Sequence, residues 1–342
     1  MKNANGRSGL HEAMLGHITA FWLSQLIFVA ARLGIADALS RGPLSAEAIA
    51  EKVGAHAPSI RRVLRALASA GVFAEQADGR FRLTRTAATL RSDVPGSLRN
   101  YALMQSGQWV WNAWGHLLHG VTTGELPFDH VYGMPVFEYL RTHPDEDRLF
   151  SASMASLSST ENAAVARGYN FGRFRSLVDV GGAHGHLLAC ILQRHRRLRG
   201  VLYDQPQVVA GAAASGFISA PAIASRCTAV GGDFFVEVPA SADAYLLKYI
   251  THNWSDERAA RILTNCRTAM APRGRVFVVD HVVKPDNAPG WAKLLDVNMM
   301  VATTGHERTR NQFEELFARA GLRLLRVHPT AVALRILEGA AA

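Results

Sequence analysis

The chain has 342 residues, 49% of them apolar, and a formal charge of +9 from 37 Lys and Arg against 28 Asp and Glu. That length predicts roughly two domains of about 100–200 residues each, and the apolar share is enough for large buried cores, with no low-complexity stretch and no internal repeat. The three cysteines, Cys190, Cys227 and Cys266, stand far apart in apolar surroundings, which excludes a disulfide framework or a zinc spacing and reads as buried thiols of a reducing cytoplasm.

The basic balance admits a nucleic acid or anionic ligand, but arginine-rich solvated helix faces account for it equally. The longest apolar stretch, Ile18 to Ala31, contains Ser24 and Gln25 and is followed by Arg32. At about 14 residues it is short of the roughly 20 that span a bilayer. The N-terminus lacks the charged, apolar and small-residue order of a signal peptide.

Residues 8 to 40 read as helix with a break at Gly34: Phe21, Leu26, Ile27, Ala30, Leu33 and Leu39 recur at helical spacing. Trp22, Leu23 and Phe28 make it apolar on a second face. One core cannot bury both faces, so a subunit interface is expected.

From Pro43 to Leu90 the pattern is compact. Ser45 caps a helix that runs to Val53 and stops at Gly54. Pro58-Ser59 opens a second, Ile60 to Ala70, closed by Gly71. Val72-Phe73 and Phe81-Arg82-Leu83 are short strands joined through Asp78-Gly79, a hairpin signal. Helix, helix, hairpin is a winged helix. Arg61, Arg62 and Arg65 stand where a recognition helix would be, and Arg80, Arg82 and Arg85 on the wing. The helix is short and mixes arginine with alanine on its outer face, so dimerisation or a lid role is expected and nucleic acid binding is not. Residues 97 to 170 are helical, with Trp109, Trp111 and Trp114 clustered and Phe150 and Met154 four apart on one helical face.

An α/β domain is expected from Gly172. The expected strands are Ser176–Val180, Gly200–Tyr203, Cys227–Val230, Ala244–Leu247, Val276–Val279, Leu322–Val327 and Ala331–Leu337. The short Pro329-Thr330 connection forces the last two to be antiparallel. The first strand runs into Gly181, Gly182 and Gly185, then a helical pattern from Leu187, a turn that lets a nucleoside-bearing ligand approach the backbone. Val180 fills the slot of the first glycine of a dinucleotide fingerprint. Functional residues in such sheets lie past the strand C-termini, which selects Asp204, Asp233, Lys248, Tyr249, His252, Asp280 and His281. Asp204 is placed for ribose hydroxyls and Asp233 for an adenine edge. Such acids suit an adenosine ligand without pyrophosphate, and S-adenosylmethionine is the common one.

Asp179-Val-Gly-Gly-Ala-His-Gly185, Asp204-Gln-Pro206, Gly231-Gly-Asp-Phe234, Lys248-Tyr-Ile-Thr-His-Asn-Trp-Ser-Asp256 and Glu307-Arg-Thr309 follow one another at suitable spacings. Together the chain resembles the S-adenosylmethionine-dependent O-methyltransferases of the caffeate and polyketide-tailoring type over nearly its whole length. The resemblance implies a winged-helix dimerisation domain over 1–95, a helical acceptor-pocket segment over 96–170 and a seven-stranded Rossmann-like α/β catalytic domain over 171–342. It implies a homodimer, no metal, and no membrane or nucleic acid partner. Gly181, Asp204, Asp233, Phe234 and Lys248 match the family's cofactor positions. His252 matches its general base, and Asp280 and Glu307 the acids that flank and orient it. Phe150, Met154, Tyr249 and Met299 match acceptor-pocket positions. The sequence departs from the family's usual residues at Ala183-His184 (usually Gly-Thr), Asn253 (usually Asp) and Asp280 (usually Glu, one methylene longer). The implied reaction is methylation of a hydroxyl on a planar aromatic secondary metabolite such as a phenazine or polyketide. Relatives that hydroxylate or decarboxylate with the same cofactor, N-methylation, and a winged-helix regulator are the alternatives.

Overall fold

A helix needs a reason to stop, and the N-terminal region supplies two. The computed structural model describes residues 2–212 and 216–342. In it the expected single helix before Gly34 is two, Lys2–Ile18 and Ala20–Leu33, bent by 46° between Gly9–Ile18 and Ala20–Leu33. Thr19 Oγ1 donates to the Leu15 carbonyl at 2.7 Å, the back-bonding by which a threonine bends a helix. The second stop is Gly34, in the left-handed region at φ 69°. No single described helix is long and apolar enough to cross a membrane, although the bent pair passes that test by length and composition.

The chain divides into two compact units. One is Met1–Asn112 with Leu140–Leu157, the other Ala113–Tyr139 with Ser158–Ala342. Residues 96–170 thus contribute to both.

In the first unit, Ser45 Oγ accepts from the Ala48 amide and starts the helix Ala46–Val53. The helix Ala57–Ser69 follows, then β1 (Phe73–Glu75) and β2 (Phe81–Leu83), paired antiparallel. Leu44 bridges Phe81 and adds a third strand position to this wing. Ile49, Ile60, Leu64, Leu67, Phe73 and Phe81 close the core, each worth roughly 1.5–3 kcal/mol of burial. Leu10, Met14, Leu15, Ile18, Phe21 and Trp22 remain half or more exposed.

In the second unit, strands β3 (Ser176–Val180), β4 (Arg199–Asp204), β5 (Cys227–Gly231), β6 (Ala242–Lys248) and β7 (Met270–Asp280) are joined by the two-residue β8 (Val282–Val283) and β9 (Arg308–Thr309), then β10 (Leu322–Pro329) and β11 (Arg335–Ala341). The seven-stranded sheet has the order β10-β11-β7-β6-β3-β4-β5, and β8 pairs β9 outside it. β11 is antiparallel to both neighbours, and the pairs from β5 through β7 are parallel. The last strand begins at Arg335, not Ala331: Thr330 Oγ1 bonds the Leu334 carbonyl, and Arg335 Nη1 donates to the Val332, Ala333 and Leu334 carbonyls. Those bonds hold 330–334 as a turn despite its apolar residues.

Period-two alternation sends Leu177 and Leu246 to one face, packed with Leu188 and Ile191 of the helix His186–Arg194. Val178 and Leu247 face the other side, against Ile262 of the helix Asp256–Ala269 and Phe313 of the helix Arg310–Arg319. The strand order reverses between β3 and β6, so the crevice beyond their C-termini is the place for a ligand. Cys266 is buried and Cys190 and Cys227 are half-buried, all as free thiols.

Candidate active site

Beyond β3 the chain turns on residues with little choice of side chain. Gly181 has φ 69° and Gly185 φ 79°. A Cβ on Gly181 would meet Ile250 Cδ1 at 2.4 Å, and one on Gly182 would meet Asp179 Cγ at 2.7 Å. Ala183 takes the left-handed conformation, φ 50°, at a cost of about 1–2 kcal/mol. Its amide donates to Asp204 Oδ2 at 2.8 Å, and Asp204 Oδ1 accepts from the Gln205 amide at 2.7 Å. The acid at the end of β4 therefore braces the glycine turn.

Beneath the turn lies Asp179, the acid that precedes the glycines in the motif but is not among the expected site residues. It is 2% exposed, and its Oδ2 has no hydrogen-bond partner. Burial, with the Asp204 charge beside it, pushes its carboxyl up to about 7. An orphaned buried carboxyl oxygen under a glycine turn fits a ligand that carries positive charge.

At the end of β6, Lys248 Nζ meets Glu161 Oε2 at 3.0 Å, Asn162 Oδ1 at 2.8 Å and Ser158 Oγ at 3.1 Å. Its side chain is 8% exposed, and burial draws its pKa down against the pull of Glu161. The ammonium thus ties the strand end to the helix Pro144–Gly168. Tyr249 is also left-handed, φ 57°, and its hydroxyl donates to Glu161 Oε1 at 2.8 Å. Burial and the Glu161 charge raise the phenol's pKa far above its usual value. Asp233 Oδ1 accepts from the Phe235 amide at 2.8 Å. Phe234 stands edge-on to Phe235, centroids 4.9 Å apart, with its ring beside Gly181.

His252 lies on a short turn, Thr251–Asn253, directly after this strand end. Its Nδ1 is 2.7 Å from Glu307 Oε1. A carboxylate only accepts, so in the neutral ring Nδ1 carries the proton and Nε2 keeps a lone pair. Burial lowers the ring's pKa, but the Glu307 hydrogen bond and the charges of Asp280 and Glu307 outweigh it, and the net direction is up. Glu307 Oε2 is buried without a hydrogen-bond partner, so the carboxylate's charge favours a protonated ring. Asp280 bonds the turn, not the ring. Its Oδ2 accepts from Thr251 Oγ1 at 2.6 Å and its Oδ1 from the Tyr249 amide at 3.1 Å. Burial raises its carboxyl to about 6 against the opposing pull of His252. The Tyr249 and His252 rings stack 5.2 Å apart.

Arg308 was quoted in a motif but given no role by sequence reasoning. It is fully buried, and its guanidinium donates to the carbonyls of Thr251 at 2.9 Å and Trp254 at 3.0 Å and to Asp256 Oδ1 at 2.8 Å. Met299 is buried on the helix Trp291–Ala302. Phe150 and Met154 are half-buried and belong to the first unit. One further group, His119, Glu125 and His130, brings potential metal ligands within 4.8 Å of one another. Its two rings stack face to face at 3.7 Å and 20°, and His119 Nε2 lies 2.8 Å from Glu125 Oε2.

Family models match over two stretches: an O-methyltransferase domain over residues 114–323 and an O-methyltransferase dimerisation domain over residues 15–93. The chain belongs to the O-methyltransferase family. It is 42% identical to the phenazine O-methyltransferase PhzM of Lysobacter antibioticus, covering 98% of each chain. It is 33% identical to the phenazine-1-carboxylate N-methyltransferase of Pseudomonas aeruginosa, covering 95% of this chain and 96% of the relative. Among solved structures it resembles CalO1, a methyltransferase in calicheamicin biosynthesis in its SAH-bound form, at TM-score 0.89 and 37% identity over 98% of this chain and 99% of that one. The chain is an S-adenosylmethionine-dependent methyltransferase. The glycine turn and the orphaned Asp179 oxygen beneath it suit such a sulfonium.

Proposed function

We propose that this methyltransferase acts as a homodimer on a hydroxyl of a planar aromatic small molecule, of the phenazine or polyketide kind, with His252 as general base. The observation that carries the reading is the Glu307 contact, which leaves His252 Nε2 free to accept a proton. S-adenosylmethionine supplies a methyl group already activated on sulfur, so the chain's own task is alignment and proton removal. A phenol of pKa near 10 is mostly protonated at neutral pH and a weak nucleophile. His252 Nε2 takes its proton as the oxygen becomes nucleophilic, a contribution of about 10²–10⁴-fold. Glu307 holds the ring's tautomer and, with Asp280, stabilises the imidazolium. Gly181, Asp204, Asp233, Phe234 and Lys248 are the residues this reading assigns to the cofactor, and Tyr249 and Met299 those it assigns to the acceptor. Support for the acceptor class comes from the phenazine O-methyltransferase relative.

A second reading is N-methylation, favoured by the relative named for that reaction. A ring nitrogen with a lone pair needs no base. Transfer of labelled methyl to a panel of hydroxylated and unhydroxylated phenazines and polycyclic phenols, with wild type beside His252→Ala, separates the two. Product on phenols that falls a hundredfold or so in the variant supports the base. Product on ring nitrogen at equal rates supports the second reading.

A further inference from the structure

The helix that carries Met299 runs into a strap, residues 303–308, and that strap meets the His252 turn at three points. A Cβ on Gly305 would lie 2.0 Å from the His252 carbonyl oxygen and 2.4 Å from the Trp254 amide nitrogen. Strap and turn therefore touch backbone to backbone, which only glycine allows. Glu307 takes the ring. Arg308 takes the two carbonyls that bracket His252, Thr251 and Trp254, and spends its remaining donors on Asp256, at the start of the next helix, and on the His306 carbonyl. The strap is itself anchored to the helix Trp291–Ala302: Thr303 bonds the Met299 carbonyl, and the Glu307 amide donates to Asp296 Oδ1 at 2.8 Å.

A buried guanidinium saturated by carbonyls and one carboxylate is costly unless its geometry is exact to its partners. The planar fork does what a lysine ammonium cannot, fixing two carbonyls in one plane. We propose that Arg308 is a positioning residue for methyl transfer: it fixes the 251–254 backbone against the strap so that the His252 ring, already held by Glu307, faces the acceptor hydroxyl. The alignment of the base is then set from the helix that carries Met299. This rests on His252 acting as the base. The charged and titratable groups around the ring are Glu307 and Arg308 on the strap, Asp280 and His281 at the end of β7, and the Tyr249 phenol. Arg308 is the permanent cation among them and opposes the two acids.

The test compares Arg308→Lys and Arg308→Gln with wild type and His252→Ala. Cofactor affinity by calorimetry and the thermal midpoint report whether each variant is folded. Lysine keeps the charge and loses the fork. The expected result is a kcat lowered by about tenfold or more, cofactor affinity and acceptor KM within about twofold, and an unmoved acid limb of the kcat/KM profile. Glutamine also removes the charge, so the limb moves to higher pH. The His252 ring resonance of the cofactor-free protein titrates higher by the same amount. Asp256→Asn, which loosens the fork from outside, lowers kcat by a smaller factor and covers the case of an Arg308 variant that does not fold. Wild-type kcat in Arg308→Lys, with activity lost in His252→Ala, overturns the inference and leaves the base in place. Parallel loss of kcat, cofactor affinity and thermal midpoint shows a merely structural arginine and overturns it too. Full activity in His252→Ala overturns the base and this inference together.

Discussion

Glu307 Oε1 stands 2.7 Å from His252 Nδ1 at a buried site, so one carboxylate decides which ring nitrogen is free. Glu307→Gln keeps an acceptor oxygen and removes the charge. The proposed base, His252, works when neutral, and its pKa is raised in the wild type, so the acid limb of kcat/KM is expected above the ordinary histidine value of about 6.5. Without the anion the limb moves to lower pH, and kcat falls by roughly 10–10²-fold because the imidazolium loses its partner. A pH–rate profile of the variant checks both. A limb that stays put shows that Glu307 does not set the ring's charge.

Asp280 holds the turn from the other side. Asparagine has one acceptor oxygen and cannot replace both the Thr251 and Tyr249 bonds. Asp280→Asn leaves a buried group unmatched, which costs about 1–3 kcal/mol, and it frees a tyrosine held at φ 57°. The urea midpoint is expected to fall and kcat with it. Thr251→Val, which loses only one of the two bonds, is expected to show a smaller drop in midpoint.

The sheet was legible because buried parallel strands are apolar runs with sharp ends: Ser176–Val180 was placed to the residue, bounded by an arginine before and glycines after. The His252–Glu307 contact was legible only through resemblance, since the two residues are 55 positions apart and no periodicity links them. Arg308 was invisible for a related reason. A charged residue read from sequence belongs on the surface, and nothing local says that three backbone and side-chain acceptors from residues 251–256 will surround it. The same holds for the Lys248–Glu161 pair and for Arg335, whose bonds to three carbonyls end a stretch that looks like strand.

Asp179 gives the cofactor-free protein a pH-dependent stability of a definite sign. Its folded pKa near 7 lies above the unfolded carboxyl value of about 3.9. Between those values the folded protein holds a proton that the unfolded chain has released. This contribution is therefore complete below about pH 4 and is lost as pH rises through 7. Asp179→Asn cannot titrate, so its urea midpoint changes less between pH 5 and pH 8 than that of the wild type. In the wild type, a cation bound beside the carboxyl drives the proton off. Cofactor affinity is accordingly higher at pH 8 than at pH 5, with proton release measurable by calorimetry in buffers of different ionisation heat. Equal affinity at both values shows that Asp179 does not face the cofactor's charge.

The exposed face of the first two helices carries Leu10, Met14, Leu15, Ile18, Phe21 and Trp22, and from residue 15 it lies within the dimerisation-domain match. Six large apolar side chains in one stretch exceed what a lone subunit leaves in water. A charge placed among them is desolvated on association without a partner, at a cost of several kcal/mol. On the proposed homodimer, Trp22→Asp is therefore expected to elute as a monomer by light scattering at concentrations where the wild type elutes as a dimer. Its winged-helix core, built from Ile49, Leu64 and Phe81, does not involve Trp22, so the circular dichroism of the variant is expected to stay native-like. A dimer that survives Trp22→Asp and the double change Leu15→Asp with Ile18→Asp would place the subunit contact on another surface.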